Sequence, residues 1–402
     1  MKFKTLLLGL LPFLLLSCNN HDFEETGPSD NTVFIYMVGD NNLNGFAAAD
    51  TTDIKNGYKN SKNKDKNNLL IYLDNYSNPV LMQLKMSNNS VVCEIIKKYS
   101  EMDSCDADTL KNVINYVESN FEAYHYGLVL WSHGSGSKPA SLAHVKSFGW
   151  DQDNNQNSSD NATTMDIPDL KTSLLSSGVY FDYILFDACE MQAIEVDYEL
   201  RNCTDYIIAS PWDISTDGGP YDKIIPHCFS SDANLNIPFS IADDFYDYYE
   251  AKGDSDVGVM ISVVKTDELE DLAEKTKEII TKYLSGESIN TSDVFYYDNN
   301  YKNYFYDFKS FIISLIKNID SDYEKNEDYR AWLVAYNEAV PIYLKTDNYI
   351  IVSLWSQIPK SSKESNGIST YIFSNQTFPD TYDENWKIYE WYTAAGWKEA
   401  GY

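Results

Sequence analysis

An α/β fold, with a mostly parallel central sheet covered by helices on both faces, is predicted by three features of the chain. Short apolar, β-branched or aromatic runs recur, amphipathic helical stretches separate them, and each run stops at small or polar residues. The runs are Val33–Val38, Leu69–Leu73, Leu128–Trp131, Tyr183–Phe186, Tyr206–Ala209 and Val257–Val264. They are continuous rather than alternating, as strands buried on both faces are. Helical patterns lie between them at Thr109–Phe121, at Pro168–Ser177 closed by Gly178, and at Thr266–Leu284 closed by Gly286, with Pro and Gly where helix ends favour them. Strands alternating with helices wind a parallel sheet.

With 402 residues the chain can bury a full-sized core without help from disulfides. Apolar residues make up 43% and charged residues 23%, which together with the regular patterns excludes a disordered protein. Lys and Arg total 31 against 61 Asp and Glu, and the net charge of -30 repels phosphate backbones. Nucleic acid is therefore excluded as a partner. The same field attracts cationic ligands, basic peptides among them, although solubility alone also explains such a charge.

Met1–Cys18 has a basic start (Lys2, Lys4), an apolar run from Leu6 to Leu16 and a Ser17-Cys18 end, the layout of a signal peptide too short to span a bilayer. Leu15-Leu16-Ser17-Cys18 resembles the lipobox of bacterial lipoproteins, so Cys18 is expected to be the lipidated mature N-terminus. That predicts an exported protein on the cell envelope or outer-membrane surface, held to the membrane by acyl chains. Residues 19–31 are polar and read as a tether. The expected divisions are thus a signal over 1–18, a tether over 19–31, a main domain over 32–290 and a C-terminal portion over 291–402. That last portion contains a helical stretch at Tyr301–Ile319, strand-like runs at Tyr349–Trp355 and Ile368–Phe373, and an aromatic-rich end.

Cys93, Cys105, Cys189, Cys203 and Cys228 remain after Cys18, an odd number that leaves a free thiol. No CxxC pair or Cys/His cluster has zinc-site spacing. Residues 135–164 include a polar run from Asp151 to Asp160 and read as a mobile loop.

In parallel sheets functional groups gather at the carboxyl ends of strands. There the chain has Asp40-Asn41-Asn42, Asp74-Asn75, Ser132-His133-Gly134 and Asp187-Ala188-Cys189, of which the first two read as turns or caps. Adjacent strands would bring His133 and Cys189 to one rim, where an imidazole can take the proton of a thiol nucleophile. A helix expected over Glu190–Leu200 would favour thiolate at its N-terminus, while Asp187 and Glu190 would raise the thiol pKa. On residue chemistry alone, Cys189 is equally well a small apolar strand end and His133 a turn residue.

The flanking residues go further. Trp131-Ser132-His133-Gly134-Ser135-Gly136 and Phe186-Asp187-Ala188-Cys189-Glu190-Met191, with Tyr36-Met37-Val38-Gly39-Asp40-Asn41-Asn42-Leu43 before and Asp217-Gly218-Gly219-Pro220-Tyr221-Asp222 after, resemble the clostripain family of cysteine peptidases. The likeness runs over about Val33–Ile225. It implies a caspase-like α/β/α sandwich with a smaller C-terminal portion, an architecture shared with legumains and gingipains. It further implies a His133–Cys189 dyad, an oxyanion hole from the Gly134 and Cys189 amides, and cleavage after Arg or Lys. Asp187 would line the primary specificity pocket, with Asp217 a second candidate and a helix cap the alternative for Asp187. No cofactor is required, calcium occurs in the family, and some relatives cut themselves between the His and Cys strands. Lys138 and Lys146 lie in that interval, and Lys146, beside the polar loop, is the expected site. Ser137, Glu190, Gln192 and Ala193 depart from the family's commoner residues, which bears on substrate preference. Two other functions stay open: a catalytically silent surface lipoprotein that binds peptides or serves in adhesion, and a peptide ligase on the same scaffold.

Overall fold

The computed structural model describes residues 27–138, 147–152, 162–230, 232, 236–253, 258–284, 286, 289–297, 305–352, 357–373 and 381–402. Its centre is a nine-stranded sheet. In chain order the strands are β1 (Ser29–Val38), β2 (Asn67–Asn75), β3 (Ser77–Ser87), β4 (Ser90–Lys98), β5 (Ala123–Trp131), β6 (Phe181–Asp187), β7 (Thr204–Ala209), β8 (Met260–Lys265) and β9 (Ile342–Lys345). Across the sheet they run β9-β8-β7-β6-β5-β1-β2-β3-β4. The inner block β7-β6-β5-β1-β2 is parallel, and antiparallel strands flank it on both sides.

Five of the six apolar runs became the parallel strands because both faces of that block are covered, whereas the run over Val257–Val264 falls in antiparallel β8. Val33, Ile35 and Met37 of β1 point to one layer and Phe34, Tyr36 and Val38 to the other, all buried. The first layer holds α1 (Asn44–Asn60), α5 (Tyr221–Cys228) and α6 (Ile237–Lys252). The second holds α2 (Ala107–Asn120), α3 (Ile167–Ser177), α4 (Ile194–Leu200), α7 (Leu269–Tyr283), α8 (Phe308–Lys317) and α9 (Glu327–Ala339). Gly178 closes α3 in the left-handed conformation, φ 75°. The helix expected over Thr266–Leu284 starts as a 3-10 turn and ends at Tyr283, with Leu284 extended, before Gly286 is reached.

The β3–β4 hairpin, β9 and the helices α1, α5, α6 and α9 escaped the sequence reading. Most of β4 is exposed or half-exposed and carries no continuous apolar run. The signal was Asn88-Asn89, whose φ values of 48° and 63° make the tight turn that Asn tolerates. In α1 the buried side is mostly small, Ala47, Asp50, Ile54, Gly57 and Tyr58. Gly57 backs onto α5 so closely that a methyl there would lie 2.3 Å from the Tyr221 carbonyl oxygen.

The interval read as one loop has structure at its ends, since Phe148–Asp151 pairs antiparallel with Thr163–Met165. The C-terminal portion supplies β9 to the main sheet and many side chains to the second layer, among them Trp332, Trp386, Trp391 and Trp397. Among the described residues no helix is long and apolar enough to cross a membrane.

Candidate active site

Parallel pairing sets Trp131 of β5 opposite Asp187 of β6, so the residues two beyond each, His133 and Cys189, leave the sheet at the same rim. The Ser132 amide reaches the Asp187 carbonyl at 3.4 Å and its hydroxyl donates to the Val38 carbonyl at 2.7 Å, tying the ends of three strands together. Gly134 backs directly onto the Cys189 turn. A methyl there would stand 2.4 Å from the Cys189 carbonyl oxygen and 3.1 Å from Ala188 Cβ, so glycine alone fits.

His133 is half-exposed. Its Nε2 lies 2.6 Å from Asn42 Oδ1, and its ring rests 5.3 Å from that of Trp150. Asn42 Oδ1 is an acceptor, so this contact suits the tautomer with its proton on Nε2 and makes Nδ1 the basic ring nitrogen. The strand end read as a turn thus carries a partner for the histidine. Its loop is itself fixed by Asn41, which donates to the carbonyls of Val38 at 3.1 Å and Trp150 at 2.6 Å.

Cys189 is half-buried, and its sulfur accepts from the Ile214 amide at 3.4 Å. Burial first, and then the Asp213 carboxylate, push its pKa well above the usual thiol value, with Glu190 adding to the rise. The expected helix start does not sit at the thiol, because α4 begins only at Ile194. Glu190 instead turns the chain with φ 61°, a left-handed conformation unusual for a residue with a side chain. Its amide donates to the Trp212 carbonyl at 2.9 Å and its carboxylate pairs with buried Lys138 at 2.8 Å. The amides of Ser135 and Glu190 are taken by the Ser147 and Trp212 carbonyls, whereas those of Gly134 and Cys189 have no backbone acceptor among the described residues.

Asp187 is buried, and its Oδ2 accepts from the Gly219 amide at 2.9 Å and the Tyr221 hydroxyl at 2.8 Å. It caps no helix that follows it. Asp217 lies on the surface, paired with Lys252. The carboxylate that does approach Asp187 is Asp50 of α1, which sequence reasoning missed because nothing local marks it. Asp50 is buried and accepts from Trp131 Nε1 at 2.7 Å, and burial together with the Asp187 charge pushes its pKa up to about 8. Cys18 and Lys146 lie outside the described residues.

Oxygen atoms of Asp40, Asp74 and Glu101 all lie within 4.8 Å of one another. Oδ2 of Asp74 accepts from the Ser104 hydroxyl at 2.5 Å, while its buried Oδ1 has no partner among the described residues. Burial, followed by the Asp151 charge, pushes the Asp74 pKa up to about 9. An all-carboxylate donor set with an unsatisfied buried oxygen suits a hard divalent cation such as calcium.

The family model for the clostripain family matches residues 35–400. The chain belongs to the clostripain family. It is accordingly a member of a family of cysteine peptidases. It is 28% identical over 221 residues to clostripain of Hathewaya histolytica, a match over 48% of this chain and 41% of that one, so the chain spans less than half of that relative's length. Among solved structures it is similar to a secreted C11 cysteine protease from Bacteroides thetaiotaomicron in complex with an irreversible peptide inhibitor. That likeness has TM-score 0.81 and 32% identity, covering 92% of this chain and 100% of that one. An inactive zymogen C11 protease from Parabacteroides distasonis is similar at TM-score 0.77 and 30% identity, over 92% and 98% of the two chains. The fold is the predicted caspase-like α/β/α sandwich.

If Asn42 holds His133 as a positioning residue, Asn42→Ala lowers kcat about tenfold with KM little changed, the worth of one well-formed hydrogen bond. Asn42→Asp, which keeps the acceptor, recovers most of the loss. Steady-state kinetics decide it: an unchanged kcat, or no recovery with Asp, removes that role.

Proposed function

We propose that this clostripain-family chain is an exported, lipid-anchored cysteine endopeptidase that cleaves after Arg or Lys through His133 and Cys189. The observation that carries the reading is the pairing of β5 with β6, which lets an imidazole and a thiol share one rim with two amides that have no backbone acceptor among the described residues. The Cys189 sulfur attacks the scissile carbonyl carbon while its proton passes to His133 Nδ1, the opposite ring nitrogen being held by Asn42. The raised thiol pKa favours this concerted transfer over a standing thiolate. The oxyanion accepts from the Gly134 and Cys189 amides. As the C–N bond breaks the imidazolium returns its proton to the leaving amine; a water deprotonated by His133 then attacks the thioester carbonyl, the C–S bond breaks to release the acid, and the imidazolium reprotonates the Cys189 sulfur.

Asp187, buried two residues before the nucleophile, supports a preference for basic residues, since a carboxylate in a dry pocket suits a guanidinium or ammonium. The Asp217 charge is already met by Lys252, which leaves Asp187 as the stronger of the two. The zymogen among the relatives supports a maturation cut, here after Lys146. Lys138, the other lysine considered, is buried against Glu190 and precedes Pro139. Calcium would be held by Asp40, Asp74 and Glu101, and would supply charge beneath the loop that carries Asn42.

Reporter peptides ending in Arg, Lys, Asn or Asp test the central claim: the first two are cleaved, and Cys189→Ala lowers kcat/KM by on the order of 10³-fold or more. Cleavage after Asp or Asn alone would remove the role given to Asp187. No cleavage at all, under reducing conditions with calcium and after limited proteolysis, would leave the silent peptide-binding lipoprotein. Mass spectrometry of the membrane-purified protein should find diacylglyceryl on an N-terminal Cys18 and a break after Lys146; a retained Met1, or one intact fully active chain, counts against anchor or maturation respectively. Calcium should raise the melting temperature of wild type by several degrees relative to EDTA, and Asp74→Asn should abolish the shift. An equal shift in the variant would move the site elsewhere.

A further inference from the structure

The loop that wraps Asp187 brings a second carboxylate to the same spot. A methyl group placed on Gly218, φ 60°, would stand 3.1 Å from Asp187 Oδ2 and 3.1 Å from Asp50 Oδ2. The two oxygens therefore lie no more than about 6 Å apart, both in a buried setting, which is the range where like charges suppress each other's ionisation. A side chain at position 218 would crowd both oxygens and would be strained by the positive φ.

We propose that Asp50 is the second carboxylate of the primary specificity pocket, that it and Asp187 hold one proton between them in the free enzyme, and that an entering Arg or Lys side chain expels that proton. This rests on the basic-residue reading of Asp187 given above. The surroundings assign the proton to Asp50. Asp187 Oδ2 has two donors, the Gly219 amide and the Tyr221 hydroxyl, which stabilise its charged form. Asp50 Oδ2 has the Trp131 indole.

The other groups facing the pair are Asp53 and Asp217, which raise the Asp50 pKa further, and Tyr249, whose hydroxyl donates to the Gly218 carbonyl at 2.9 Å. A nearby cation, Lys252, lies with Asp217 at the surface, and Asp217 and Tyr248 hold it in its charged form. Entry of a substrate cation lowers the cost of a second negative charge, so the Asp50 carboxyl ionises and its proton leaves to solvent. A guanidinium can then bond to both carboxylates with separate N–H groups, where an ammonium offers one compact centre. The pair thus favours Arg over Lys.

Calorimetric titration of benzamidine into the Cys189→Ala protein, in two buffers of different ionisation enthalpy, reads the proton directly. At about pH 7 close to one proton should be released per ligand bound, falling towards none well above the Asp50 value of about 8. In Asp50→Asn, Cys189→Ala the release should vanish. With active enzyme, KM for an Arg reporter should rise as pH falls below about 8, and Asp50→Asn should flatten that dependence and cut the Arg-over-Lys preference about tenfold. Binding of benzamidine without proton release in the Cys189→Ala protein overturns the shared proton even where Asp50→Asn fails to fold. Failure of benzamidine to bind at any pH instead overturns the basic-pocket reading on which the pair depends.

Discussion

The register between β5 and β6 is the constraint on which the site depends. Trp131 and Asp187 face each other across that pair, and in-register neighbours share a face of the sheet. Both therefore point into the layer built by α1, α5 and α6, where the Trp131 indole finds Asp50 and the Asp187 carboxylate finds Gly219 and Tyr221. Two residues further on, the two chains clear the sheet with His133 and Cys189. A slip of one residue would turn Asp187 to the opposite layer and pull the histidine and thiol to different heights.

Acidity shapes the same rim. Asp50, Asp74 and Asp187 are buried carboxylic acids whose pKa values are raised above the usual range, and Cys189 is a thiol held neutral by burial and Asp213. Buried acids of this kind make the rim electrostatically favourable to cations. Beside it the Lys138–Glu190 pair, buried on both sides, fixes the left-handed turn that follows Cys189. Removing one partner of such a pair leaves an uncompensated charge, so the two residues depend on each other more than either contributes alone.

Ser137 and Gln192, two of the residues that depart from the family's commoner pattern, each have structural partners. Ser137 receives the Trp386 indole at 3.0 Å on its hydroxyl and the Tyr389 hydroxyl at 3.0 Å on its carbonyl. Gln192 donates to Asp197 at 2.8 Å, and its carbonyl accepts from the Ser369 amide at 3.0 Å. Glu195, a few residues on, accepts from Thr370 and from the Tyr371 amide, each at 2.9 Å. The C-terminal segments thus brace the histidine loop and the cysteine turn from behind.

What could be read from the chain alone were the parallel strands, the helices α2, α3, α4, α7 and α8, and His133 and Cys189 as strand-end residues. Each rests on local signals: apolar runs, Pro and Gly at helix ends, and short motifs whose spacing survives without knowledge of the fold. Asn42 was visible only as a turn, and Asp50 had no signal at all, because an acidic residue on a weakly amphipathic helix looks like any solvated position. The helix expected at Glu190 was displaced because the turn after Cys189 is held by Trp212 and Lys138, partners distant in sequence. Periodicity reports which way a residue faces along its own segment. Which segment stands opposite, and hence which carboxylate meets Asp187 or which carbonyl holds a turn, is decided by sheet order and helix packing, and only the folded chain contains that information.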